Sequence, residues 1–95
     1  MPQDGGPLTR DMKIVNVKGL HARASAKLVE TVERFDASAT IRKDGLDASG
    51  DSIMGLLMLA ASRGTFIQVE TRGAEAGALM EAIDALVTDK FGEGD

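Results

Sequence analysis

Apolar residues recur with helical spacing in three segments of the chain. In residues 22–35 one face of the predicted helix is apolar, whereas the charged residues lie on the other faces. The apolar positions of that face are Leu28, Val29, Val32 and Phe35. The second segment covers residues 53–59, and the third begins after Gly73 and ends near residues 91–92. These patterns predict three amphipathic helices.

Strand patterns occupy the stretches between the helices. They cover residues 12–17, 37–43, 46–49 and 65–71, and apolar and polar positions alternate most clearly in residues 37–43. Asp44-Gly45 follows that stretch and is a favoured two-residue type I′ turn, which predicts a hairpin. The chain therefore predicts the order β-α-β-β-α-β-α.

The apolar pattern predicts an α+β fold. Each helix has one apolar stripe and the hairpin has one apolar face, so we expect a two-layer open-faced sandwich with all helices on one side of the sheet. Residues 11–91 form the single domain of this prediction. Residues 1–10 hold both prolines and two glycines, and we expect a flexible N-terminal tail there and a short C-terminal tail at residues 92–95.

Composition narrows the function classes. The formal net charge is −4, and no basic cluster or aromatic platform accompanies it, which argues against nucleic-acid binding. The chain has no cysteine, which excludes disulfides and thiolate metal sites. The longest apolar run, residues 53–61, is too short to span a bilayer, and no signal peptide opens the chain. We therefore expect a cytoplasmic protein with no membrane partner.

His21 is the strongest candidate for chemistry. It is the only histidine, and the chain has no cysteine, tyrosine or tryptophan, so few side chains are nucleophilic near neutral pH. His21 lies between a predicted strand and a predicted helix, where unpaired N–H groups and the positive helix end bind anions. With Arg23 nearby, this arrangement suits a phosphate. The alternative is that His21 only caps the helix or lies in a loop.

Two short motifs resemble the signatures of the histidine-containing phosphocarrier family, HPr, of the bacterial phosphotransferase system. They are Gly19-Leu20-His21-Ala22-Arg23 and Ser52-Ile53-Met54-Gly55-Leu56. Their order, their separation and the predicted elements also match, so the resemblance covers about residues 12–90. The resemblance implies an open-faced sandwich with an antiparallel sheet in the order 1-4-2-3.

The same resemblance implies a function and its residues. His21 is then phosphorylated by enzyme I, ultimately from phosphoenolpyruvate, and passes the phosphoryl group to an enzyme IIA domain. The side chain of Arg23 and the backbone N–H groups of Ala22 and Arg23 stabilise the phosphate. Ser52 matches the serine that a kinase/phosphorylase modifies in many members. The protein is then a phosphoryl carrier that needs no cofactor or metal, and not a stand-alone enzyme.

Two departures from the family pattern qualify this interpretation. Ala24 stands where the family usually has a proline, and Asp51 precedes Ser52 where a lysine often stands. The negative charge of Asp51 disfavours the addition of a phosphate to Ser52. Together with the −4 charge, the departures resemble the nitrogen-related branch of the system more than the sugar-transport branch.

The apolar run at residues 53–59 predicts a docking surface. It holds more apolar side chains than a two-turn helix needs for one buried stripe, so some are exposed or covered by a partner. We expect partners to contact Leu20, Ile53, Met54 and Leu57, and we expect the protein to be a monomer.

Two other function classes remain open. One is a regulatory binding protein that is switched by phosphorylation of Ser52 and keeps a vestigial His21. The other is a small enzyme or metal-binding domain. A single histidine without cysteine is a poor metal-ligand set, and the carboxylates lack the spacing of a calcium loop.

Overall fold

The computed structural model describes residues 7–94 and contains the predicted elements in the predicted order. The strands and helices are β1 (Leu8–Lys13), α1 (Ala22–Glu33), β2 (Ser38–Lys43), β3 (Leu46–Ser49), α2 (Ile53–Met58), β4 (Phe66–Arg72) and α3 (Ala76–Thr88). A C-terminal 3₁₀ turn (Lys90–Gly92) follows α3. Within residues 7–94 no helix is long and apolar enough to cross a membrane.

The four strands form one antiparallel sheet in the order β1-β4-β2-β3. β4 lies between β1 and β2, and the hairpin of β2 and β3 forms the other side of the sheet. In the hairpin turn Asp44 has a φ of 53° and Gly45 a φ of 81°, as a type I′ turn requires at both central positions. The predicted fold class, strand order and hairpin are confirmed.

One face of the sheet carries the core. Inward positions of β4 and β2, such as Ile67, Val69 and Ile41, are buried against the helices. The helices contribute buried side chains along one stripe each. These include Leu28 of α1, Leu56 of α2, and Leu79 and Ile83 of α3. The helices therefore pack on a single face, because burying those stripes supplies most of the hydrophobic free energy.

The opposite sheet face carries a group of ion pairs centred on Glu70. Its side chain is 6% exposed and contacts the guanidinium of Arg42, and Arg72 Nη2 lies 2.6 Å from Glu70 Oε2. Arg42 also pairs with Asp47 at 3.3 Å. The hydrogen bond from Arg42 is the main cause that lowers the pKa of Glu70, and burial opposes it. Glu70 is thus a carboxylate held in its charged form by two cations.

The first strand differs from the prediction. The sequence predicted residues 12–17, whereas β1 begins at Leu8 and ends at Lys13. β1 pairs with β4, and its inward positions include Arg10, which forms ion pairs with Glu81 and Asp84 of α3. A charged residue on the inward face interrupts the apolar–polar alternation, so the sequence pattern of this strand is weak. Residues 8–10 therefore belong to the sheet and not to the expected N-terminal tail. Residues 1–6 of the predicted tail lie outside the described residues.

The C-terminal end also differs from the expected tail. Phe91 is fully buried, and both Lys90 and Phe91 have positive φ angles, 57° and 55°. This turn redirects the chain after α3, so that Glu93 reaches His21. Residues 92–93 are therefore part of the packed domain, because the buried ring of Phe91 anchors the segment that the sequence assigned to a tail.

Candidate functional site

His21 is the N-cap residue of α1, and the loop before it is fixed by close backbone packing. Gly19 has a φ of 65°, and a Cβ there would lie 2.5 Å from the carbonyl oxygen of Ala61, so a side chain does not fit. Leu20 N–H donates to the same carbonyl at 2.8 Å. The loop that precedes β4 therefore holds the residues before His21 in place.

The two nitrogens of the His21 ring have different partners. Nδ1 accepts a hydrogen bond from the backbone N–H of Arg23 at 3.3 Å, which makes it part of the helix cap. Nε2 contacts Oε2 of Glu93. Because a carboxylate only accepts hydrogen bonds, these partners assign the proton of the neutral ring to Nε2 and the lone pair to Nδ1.

Glu93 is itself held by a buried amide. Its side chain is 9% exposed, and its Oε1 accepts a hydrogen bond from Asn16 Nδ2 at 3.0 Å. Asn16 is fully buried and also donates to the carbonyl of Gly19 at 2.8 Å. The hydrogen bond from Asn16, followed by that from His21, lowers the pKa of Glu93, while burial opposes the shift. The carboxylate therefore stays charged beside the ring.

A pocket of about 350 Å³ opens beside His21. Three cationic side chains line it together with His21 and Glu93. These are Lys18, Arg23 and Lys27. A pocket lined by cationic side chains beside the first turn of a helix is suited to a phosphate group. The structure thus brings the predicted residues His21, Ala22 and Arg23 together at one helix terminus.

Ser52 is the N-cap residue of α2. Its Oγ accepts a hydrogen bond from the backbone N–H of Gly55 at 3.0 Å, and its backbone is extended. The sequence allowed either Asp51 or Ser52 as the cap, and the structure assigns Ser52. α2 packs against α1, so both motifs lie on neighbouring helices.

Two of the four residues predicted to contact partners are exposed, one is half-buried and one is buried. Met54 is 70% exposed and Ile53 39%, while Leu57 is partly buried. Met58, at 71%, adds to this surface. Leu20, however, is only 4% exposed, because its side chain belongs to the core beneath the loop. The prediction that Leu20 contacts partners is corrected accordingly.

Comparison with known proteins decides the family. A family model described as the PTS HPr component phosphorylation site matches residues 8–89. The chain is 43% identical over 88 residues to the phosphocarrier protein HPr of Neisseria meningitidis, which covers 93% of this chain and 99% of the relative. This chain belongs to the HPr family. It is therefore a phosphocarrier of the phosphotransferase system.

Further HPr-family relatives support the assignment at the level of sequence and structure. The phosphocarrier protein NPr of Shewanella violacea is 44% identical over 86 residues, covering 90% of this chain and 94% of the relative. A crystal structure of HPr-C-His from Thermoanaerobacter tengcongensis superposes with a TM-score of 0.86 at 31% identity, covering 90% of this chain and 97% of that chain. The HPr and NPr identities are nearly equal and do not separate the two branches.

Sequence reasoning missed two residues of the site, Asn16 and Glu93. Glu93 lies beyond the stretch that the HPr model matches, which ends at residue 89. Asn16 and Glu93 are 77 positions apart, so no local pattern joins them. Phe91 could have indicated that the C-terminal segment packs on the domain, because a large aromatic side chain is more often buried than solvated.

Proposed function

We propose that this phosphocarrier accepts a phosphoryl group on Nδ1 of His21 from enzyme I and passes it to an enzyme IIA domain. The observation that carries the proposal is the lone pair of Nδ1 at the first turn of α1, with a cationic pocket beside it. A bond forms from Nδ1 to phosphorus as the bond between phosphorus and the donor's side chain breaks. In the transfer to the IIA domain, the bond from Nδ1 to phosphorus breaks as a bond forms from the acceptor's side chain to phosphorus.

The bound phosphoryl group needs positioning and charge stabilisation more than covalent chemistry. The N–H of Arg23 already points at Nδ1, and together with the N–H of Ala22 it can bind phosphate oxygens at the helix start. The exposed guanidinium of Arg23 reaches the same pocket and adds a charge-assisted donor. These groups supply the positive environment that a transferring phosphoryl group requires.

Partners dock on the exposed apolar residues of α2 in this proposal. Ile53 and Met54 are exposed and Leu57 is half-buried, and all three lie on α2, the helix that packs against α1. Methionine side chains adapt to differently shaped partners, so one surface suits both enzyme I and a IIA domain. In this proposal the carrier is cytoplasmic and acts as a monomer. Equilibrium sedimentation of the full chain tests the oligomeric state.

Ser52 is the proposed regulatory site for an HPr kinase/phosphorylase. A phosphate there lies beside the docking surface, where its desolvation against a partner is unfavourable. Incubation with a purified kinase/phosphorylase and ATP, followed by mass analysis of wild type and Ser52→Ala, tests the assignment. A phosphate on wild type but not on Ser52→Ala supports it, and no phosphate on either contradicts it.

Incubation with enzyme I and phosphoenolpyruvate tests the function directly. Intact-mass analysis is expected to show one acid-labile phosphoryl group on wild type and none on His21→Ala. His21→Asn is the matched control for folding, because asparagine is a good N-cap residue but does not accept the phosphoryl group. Full transfer to His21→Ala, or no transfer to wild type, would overturn the proposal in favour of a regulator with a vestigial histidine.

The identity of the acceptor is tested with purified IIA domains. We propose the nitrogen-related branch, on the basis of Ala24, Asp51 and the −4 charge. Phosphorylated protein is then expected to transfer faster to a nitrogen-related IIA than to a sugar-transport IIA. Faster transfer to the sugar-transport domain would contradict the branch assignment and leave the carrier function in place.

A further inference from the structure

We propose that Glu93 is a positioning residue for phosphoryl transfer, whose carboxylate selects the ring tautomer and orientation in which His21 Nδ1 is nucleophilic. This inference rests on the proposed acceptor role of His21. Glu93 lies outside the stretch matched by the HPr model, which ends at residue 89. Its role therefore follows from the geometry of this chain.

The Glu93 carboxylate is engaged at both oxygens. Oε2 contacts His21 Nε2, and Oε1 accepts from Asn16 Nδ2 at 3.0 Å. Asn16 is in turn tied to the Gly19 carbonyl at 2.8 Å, on the glycine two positions before His21. The carboxylate and the loop that carries the ring are therefore fixed to the same buried amide, which sets the angle at which the ring is presented.

The segment that delivers Glu93 is anchored at several points. Phe91 is fully buried, and its carbonyl accepts from Lys27 Nζ at 2.6 Å. The N–H of Glu93 donates to the Lys90 carbonyl at 3.0 Å. Two non-glycine residues, Lys90 and Phe91, adopt positive φ, a conformation that persists only where surrounding contacts hold it. The position of Glu93 is thus determined by packing.

The chemical consequence concerns the proton of the ring. A neutral imidazole in water exchanges its proton between the two nitrogens, and a ring protonated on Nδ1 has no lone pair there for attack on phosphorus. A carboxylate opposite Nε2 stabilises the proton on Nε2, much as a buried aspartate orients the histidine of a hydrolase triad. Glu93 therefore increases the fraction of His21 that is competent to accept the phosphoryl group.

The test combines a spectroscopic and a kinetic measurement on the full chain. ¹⁵N NMR of the His21 ring, recorded at about pH 8 where an ordinary imidazole is neutral, reports the tautomer directly. Wild type is expected to show the Nε2–H tautomer, and Glu93→Ala a mixture of the two. The rate of phosphorylation by enzyme I at saturation is expected to fall about tenfold in Glu93→Ala, as for loss of other orienting partners, with the affinity for enzyme I unchanged.

Two further variants make the outcome decisive. Glu93→Met keeps a side chain of similar length but has no oxygen to accept a hydrogen bond from Nε2–H, so it replaces Glu93→Ala if alanine unfolds the C-terminal turn. Glu30→Ala removes one negative charge from an exposed position of α1 and is expected to behave as wild type. A wild-type tautomer and rate in folded Glu93→Ala or Glu93→Met would overturn the inference, although transfer to wild type would still support the carrier function. No transfer to wild type would overturn both.

Discussion

Lys27 donates a hydrogen bond from Nζ to the backbone carbonyl of Phe91 at 2.6 Å, and this contact joins α1 to the segment that carries Glu93. The lysine also packs closely against Gly92, since a Cβ on that glycine would lie 3.1 Å from the same Nζ. Lys27, on the helix that His21 caps, therefore also helps to hold Glu93 beside the His21 ring.

Replacing Lys27 by methionine is expected to loosen the C-terminal segment without unfolding the domain. A hydrogen bond from a charged donor contributes about 1.5–3 kcal/mol to the free energy of unfolding. Chemical denaturation measures that loss, and amide hydrogen exchange is expected to quicken at Glu93. Lys13→Met, at an exposed position of β1, is the matched control. Unchanged exchange at Glu93 would show that the hydrogen bond from Lys27 is not needed to hold the segment.

Removing the side chain of Arg23 is expected to slow phosphoryl transfer without abolishing it. The backbone donors at the start of α1 remain in Arg23→Ala, whereas one charge-assisted contact of about 1–3 kcal/mol is lost, which corresponds to a tenfold to hundredfold lower rate. Rapid-quench measurement with enzyme I gives the rate. Arg34→Ala removes a positive charge at the opposite end of α1 and controls for net charge. A rate equal to wild type would remove Arg23 from the site.

Substitutions of Ser52 separate its capping role from a regulatory role. Ser52→Ala loses the hydrogen bond to Gly55 N–H and is expected to lower the free energy of unfolding by about 1 kcal/mol. Ser52→Asp keeps a capping oxygen, so it is expected to melt near wild type yet bind enzyme I several-fold more weakly, because its charge lies beside the docking surface. Asp51 already places negative charge there, which reduces the added effect.

Calorimetric titration and melting curves check the Ser52 variants. Ser38→Asp adds the same charge at the start of β2, at an exposed position away from α2, and is expected to bind enzyme I as wild type does. Equal affinities of wild type and Ser52→Asp would mean that Ser52 is only a cap.

The ion pairs around Glu70 predict an acid-sensitive component of stability. Arg42 lowers the pKa of Glu70 from its ordinary value of 4.5, so the folded state binds this proton less readily than the unfolded state. The contribution is complete above pH 4.5 and is lost as the pH falls through the lower pKa of the folded state. Unfolding of wild type and Glu70→Gln across this range measures it, and Glu70→Gln is expected to lose less stability on acidification. Parallel curves would contradict the prediction.

The sequence predicted those parts of the molecule that depend on local patterns. The Asp44-Gly45 turn and the helical stripes lie within short windows, and residues 19–23 place His21 and Arg23 at one helix start. The predicted bounds of β1 were wrong because the position of this strand is set by its pairing with β4, which lies far away in the sequence. Asn16 and Glu93 join the site through tertiary contacts that no window contains. The structure shows that His21 caps α1 through Nδ1, and this cap is compatible with the phosphoryl acceptance that we propose for the same nitrogen.

The strand order β1-β4-β2-β3 has a consequence for how the chain folds. During synthesis the hairpin of β2 and β3 can form early from local contacts, whereas β1 stays unpaired until β4 follows some fifty residues later. Until then the edges of β1 and β2 that pair with β4 in the folded domain are open to pairing with other chains. β4 covers both of these edges when it inserts, so a single strand ends the interval in which they are exposed to aggregation.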